Sequence, residues 1–166
     1  MVLGLSISAF TQLHVVISLI GIVSGLAVVF MMLRDKWPAG WNILFLVTTI
    51  ATSVTGFLFP VTTLLPSHVV GIISLIILAA ALAALYARHM SGLWRPVYIG
   101  CAVAALYLNV FVAVVQSFQK LPFAHMLAPT QSEPPFLVTQ LIVLVAAIVV
   151  GFLIIRRFHP PAQMTV

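Results

Sequence analysis

Between Pro66 and Arg88 the chain reads PSHVVGIISLIILAAALAALYAR, with no charged side chain before its last residue. About 20 apolar residues at 1.5 Å rise span the roughly 30 Å hydrocarbon core of a bilayer. Backbone N–H and C=O groups find no water there, so such a run must be a helix that satisfies its own backbone. Pro66 and Ser67 suit its first turn, since one lacks an N–H and the other accepts one. Four further runs of the same kind bring the spans to five, at about 13–33, 41–59, 67–88, 96–118 and 137–155. The spacing predicts an all-α integral membrane protein, a five-span transmembrane helical bundle forming one membrane domain over 1–166.

Composition closes off the alternatives. With 63% hydrophobic and 5% charged residues, the chain lacks the polar side chains to cover a water-soluble domain. The +5 formal charge does not point to nucleic acid, because the basic residues flank apolar spans instead of covering a solvated face. MVLGLSISAFTQLHVV has no basic segment, and its apolar run continues to Leu33, so the N-terminus is expected to be retained. Cys101 is the single cysteine, which excludes an intrachain disulfide, a CxxC metal site and a CxxCH haem attachment. Beside Gly100, Ala102 and Ala104 it reads as a small packing residue.

The segment RDKWPAGW separates spans one and two, with Pro38 and Gly40 as helix breakers, and Pro60 closes span two. The short link VTTLLP follows, and Pro96 suits the start of span four. No internal repeat and no pair of broken helices points to a transporter. Arg34, Lys36, Arg88, Arg95, Arg156 and Arg157 fall on one side of the five spans, and only Lys120 on the other. The positive-inside rule then places the N-terminus outside and the C-terminus in the cytoplasm, as a multi-pass protein of a bacterial inner membrane. Trp37, Trp41 and Trp94 gather on the same side, where indole rings sit at headgroup level.

His14 precedes Arg34 by 20 residues, and His68 precedes Arg88 by the same interval. If both arginines mark one membrane surface, the two imidazoles share a depth near the other. Counting from Arg95 and Arg156 brings Gln116 and Gln140 to a similar level. Asn109, Ala113, Gln116 and Lys120 lie on one face of span four, a polar stripe expected to line a pocket instead of facing lipid. His14, Ser18, Gly21 and Gly25 form a stripe of small residues on span one, and Gly71 stands three residues after His68. Thr48, Thr49, Thr52, Ser53 and Thr55 read as packing residues whose hydroxyls bond their own helix. The outer loop 119–136 carries His125 and Glu133 and cannot be helical throughout, given Pro129, Pro134 and Pro135. Its length suggests that it folds over the outer mouth.

Three functions fit these residues. The first is a b-type haem, held by His14 and His68 with Gly21, Gly25 and Gly71 giving the macrocycle room, for redox or electron transfer. In these residues alone the arrangement resembles that of small membrane b-type cytochromes. A second intramembrane histidine pair is absent, which argues against electron transfer across the whole bilayer. The second is a copper, zinc or iron site from His14, His68, His125 and Glu133, with Met126 beside His125 favouring copper. The third is a non-catalytic role, as an accessory subunit of another membrane protein or a binder of lipid or quinone, its polar pocket lined by Asn109, Gln116 and Gln140. No carboxylate pair, nucleophile arrangement or nucleotide-binding glycine pattern supports enzyme chemistry by side chains alone. His89, His159 and Asp35 read as solvated groups at the cytoplasmic surface.

Overall fold

The computed structural model describes residues 2–60 and 66–160, and the link VTTLL and the end of the C-terminal tail lie outside them. Six α-helices carry the described chain: α1 (Ile7–Leu33), α2 (Ala39–Gly56), α3 (Pro66–Leu82), α4 (Trp94–Lys120), α5 (Pro122–Leu127) and α6 (Pro134–Arg157). A π-helical turn, Ala83–Ala87, extends α3. Five of these segments are long and apolar enough to cross a membrane, the third running from Ser67 to Ala87.

Local chemistry sets the boundaries. α1 starts at Ile7, earlier than the apolar run suggests, because the Ser6 hydroxyl accepts from the Ala9 N–H at 3.2 Å and caps the first turn. It ends ahead of Pro38. Asp35 adopts φ 55°, its N–H bonds the Met32 carbonyl, and the Lys36 N–H bonds that of Met31. That is a Schellman ending, with an aspartate in the left-handed position that glycine usually takes. At 27 residues each, α1 and α4 are about 40 Å long and overreach a bilayer core, so they tilt or project. The loop after α4 is helical only in α5, and the Pro-rich stretch beyond it is not.

α1 packs on α2, α2 on α3, α3 on α4 and α4 on α1, closing a four-helix ring with α6 laid against α1 and α4. α2 and α4 stand on one diagonal, bridged by buried polar side chains; α1 and α3 stand on the other. The continuous hydrophobic core lies toward the end that gathers the arginines, where Val28, Met32, Phe45, Leu85, Tyr98 and Ile154 meet. Outward faces of α1, α2, α3 and α6 carry exposed Val, Ile, Leu and Phe, as a surface solvated by lipid requires, while α4, the helix packed on by the most neighbours, exposes only Val97 of this kind.

Candidate functional site

Polar residues on α2 reach every neighbour in the ring. The Tyr98 hydroxyl of α4 donates to Asn42 Oδ1, and Asn109 Nδ2 of α4 donates to Thr49 Oγ1 at 3.1 Å. Ser53 Oγ bonds Ser74 Oγ of α3 at 3.0 Å, and Thr55 Oγ1 lies 2.8 Å from His14 Nδ1 of α1. Thr48 and Thr55 also donate to carbonyls four residues back, at 2.7 Å each, as expected. An interhelical hydrogen bond in a bilayer contributes about 0.6 kcal/mol on average, so the four together fix register more than they supply stability.

The two histidines expected to pair do share a level. His14 meets the ring of Phe59 edge-on at 5.3 Å, and His68, 8% exposed, lies against Phe57 at 5.6 Å. Both therefore lean on the C-terminal end of α2. The glycines around them are filled by protein. A Cβ at Gly71 would fall 2.9 Å from Phe57 Cζ, and one at Gly25 only 2.8 Å from Leu106 and Phe45 atoms. One at Gly21 would meet Thr48, Thr49 and Asn109 within 3.4 Å. The space beside these glycines is thus occupied by aromatic, aliphatic, amide and hydroxyl side chains.

The outer loop does not bring its ligands together. His125 is exposed on α5. The Glu133 carboxylate turns into its own loop, where Oε1 accepts from the Thr130 N–H at 3.1 Å and the Thr130 hydroxyl at 2.9 Å, and Oε2 from the Ser132 N–H at 3.0 Å. Desolvation works against its ionised form, but these hydrogen bonds outweigh it and hold the carboxyl below its ordinary range. Among the described residues no three His, Cys, Asp or Glu side chains form a group able to hold a metal ion.

The expected pocket lining separates as well. Gln140 is buried, and its Nε2 donates to the Phe111 carbonyl at 3.2 Å while its Oε1 has no partner. Asn109 faces Thr49. Gln116, on the same stripe of α4, is exposed because the helix has by then passed beyond the core.

The arginine-rich end holds what the spacing argument does not reach. An open cleft of about 280 Å³ lies between the start of α2 and the π turn, lined by Trp37, Asn42, Ile43, Leu85, Tyr86 and His89. Asn42 is 1% exposed and is held by Tyr98, while Tyr86 and His89 are exposed. His89 and Met90 both adopt the left-handed region, at φ 49° and 53°, an uncommon pair for side-chain-bearing residues. The Met90 N–H closes back on the Ala84 carbonyl at 2.9 Å. Arg95 Nη1 donates to the Phe158 carbonyl at 2.6 Å, and the His159 N–H donates to Asp35 Oδ1 at 2.6 Å. Trp37 packs on Tyr98 and Phe158 at about 6 Å between ring centres. An amide such as Asn42 in an apolar span was the available signal, since a buried amide must find a partner. No family model, curated protein or solved structure matches the chain.

Proposed function

We propose that the chain is a non-catalytic inner-membrane protein that holds a membrane amphiphile, a lipid or a quinone, in the cleft at its arginine-rich end. One observation carries this reading. The polar side chains inside the ring are largely spent on one another, whereas the cleft sets Tyr86, His89 and Trp37 beside Ile43 and Leu85 around a space open to the outside. Such a mixture of polar edge and apolar wall suits a molecule with a polar head and a hydrocarbon tail. The arginine-rich end faces the cytoplasm in this reading, by the basic-residue asymmetry. The site therefore lies opposite the outer pocket that the histidine spacing favours.

Mass spectrometry of lipids and quinones retained by the detergent-purified protein, together with its visible spectrum, tests the reading. A co-purifying amphiphile and a featureless spectrum are expected. A Soret band that vanishes in His14→Ala or His68→Ala would replace the proposal with haem. Stoichiometric copper or zinc lost in His125→Ala would replace it with a metal site. A fluorescent protein fused to the C-terminus should fluoresce in the cytoplasm; fluorescence abolished by export would reverse the orientation.

A further inference from the structure

The formal charge of the chain is concentrated at one end. Arg34, Lys36, Arg88, Arg95, Arg156 and Arg157 stand there against Asp35 alone, while Lys120 and Glu133 offset each other at the opposite end. Much of this charge is already engaged. The guanidinium of Arg34 lies 4.0 Å over the Phe30 ring and that of Arg156 lies 4.2 Å over Phe152. Arg95 holds the Phe158 carbonyl, and Asp35 receives the His159 N–H. Two exposed cations immediately adjoin cleft residues along the chain, Lys36 beside Trp37 and Arg88 beside His89. Arg88 too lies over a ring, Trp94, but at 5.2 Å, the longest of the three such contacts among the described residues, and a guanidinium over a ring keeps its edge N–H groups for an anion.

Three features thus meet at the cleft. Lys36 and Arg88 each stand one residue from its lining. Its rim carries hydrogen-bond donors, the indole of Trp37, the hydroxyl of Tyr86 and the imidazole of His89. Its walls are hydrocarbon, Ile43 and Leu85. We infer that the cleft binds an anionic phospholipid, its phosphate between Lys36 and Arg88 and one acyl chain along Ile43 and Leu85. This rests on the amphiphile-binding reading above and adds the charge of the ligand. A neutral quinone would use the donors and the hydrocarbon but leave the cations unanswered. Basic pockets between transmembrane helices recognise phosphate headgroups through the same combination. Leu85 and Tyr86 lie within the π turn, and π turns recur at functional sites.

The test reconstitutes the full chain in vesicles of phosphatidylcholine, with or without phosphatidylglycerol, re-extracts it in detergent and counts retained lipids by native mass spectrometry. One phosphatidylglycerol is expected to persist on the wild-type chain. Lys36→Gln and Arg88→Gln should each weaken retention roughly fivefold, and Lys120→Gln at the other end should not change it. Ile43→Trp fills the cleft without altering charge, and Ile43 is 55% exposed, so the bundle should fold unchanged. That variant should lose the lipid, whereas attraction to a charged surface alone would survive it. Retention of phosphatidylcholine or a quinone in place of phosphatidylglycerol overturns the anionic-lipid assignment and leaves amphiphile binding standing, whereas retention of phosphatidylglycerol by Ile43→Trp puts the lipid outside the cleft and removes both. No amphiphile retained from any vesicle removes both.

Discussion

Toward the arginines, side chains from α1, α2, α3, α4 and α6 interlock in one core, and the bonds that close it join residues far apart in sequence. Tyr98 reaches Asn42 across 56 positions, Arg95 reaches Phe158 across 63, and His159 reaches Asp35 across 124. Toward the outer loop, buried groups come in small sets, Phe10 on Phe59, His68 on Phe57 and Phe118 on Phe136. There Glu133 bonds Thr130 and Ser132, its own neighbours. Distant helices are tied at that end by His14 with Thr55 at 2.8 Å and Ser53 with Ser74 at 3.0 Å. One half is closed by a continuous core with bonds across the longest sequence separations, and the other by scattered helix-to-helix pairs together with bonds inside its own loop. Local opening therefore starts at the loop, and the arginine-rich half carries the cooperative unit.

Substitutions can break this contrast, and the largest effect belongs to the core. Gly25→Val should destabilise by about 3 kcal/mol, because its Cβ would collide with Phe45 and Leu106. Thermal unfolding in detergent, followed by circular dichroism, measures it. Gly100→Val, with open space around it, should fall far short of that; equal losses would refute the packing argument.

Tyr98→Phe comes next, at about 2 kcal/mol, since it leaves the buried Asn42 amide without its partner. Asn42→Leu in the same background should recover part of the loss, and a double-mutant cycle without coupling would dissolve the pair.

At the loop end the cost shrinks. His14→Phe should lose about 0.6 kcal/mol, because Thr55 keeps its bond to the Ala51 carbonyl and the new ring still meets Phe59. A loss as large as that of Tyr98→Phe would show the two halves to be equally cooperative.

The smallest effect is a titration. Glu133 has a folded pKa below its unfolded one, so the order it confers is complete above about pH 4.3, the unfolded value for a glutamate. It is lost as the pH falls through the lowered folded value. Amide chemical shifts of Thr130 and Ser132 should follow that transition. A midpoint at or above the ordinary range would mean that the loop does not hold the carboxylate.

Charge spacing made the five spans legible, because nine charged side chains can fall in only a few places once helices must cross hydrocarbon. Neighbourhood was legible in part. His14 and His68 both lie against aromatic rings just past the end of α2. Rotation and crowding were not. Gly21, Gly25 and Gly71 announce a close approach without saying what approaches, and the answer is side chains from α2 and α4. Asn109 and Gln116 share a stripe, yet one meets Thr49 and the other is exposed. Counting residues from an arginine cannot show where a neighbouring helix stops covering a face. The cleft escaped because its lining comes from residues 37–43 and 85–89, which are brought together only where the start of α2 meets the turn that extends α3.

The π turn at Ala83–Ala87 has an evolutionary and an engineering corollary. Such a turn is what remains when a helix absorbs one inserted residue without unwinding, and removing a residue resets the phase of everything after it by about 100°. Deleting Ala83 would therefore leave a plain α-helix of unchanged hydrophobicity, able to insert in the membrane as before, while swinging Arg88 and His89 a quarter turn from their present bearing. Whatever occupies that corner of the molecule would be lost through azimuth alone, with every side chain that touched it still present.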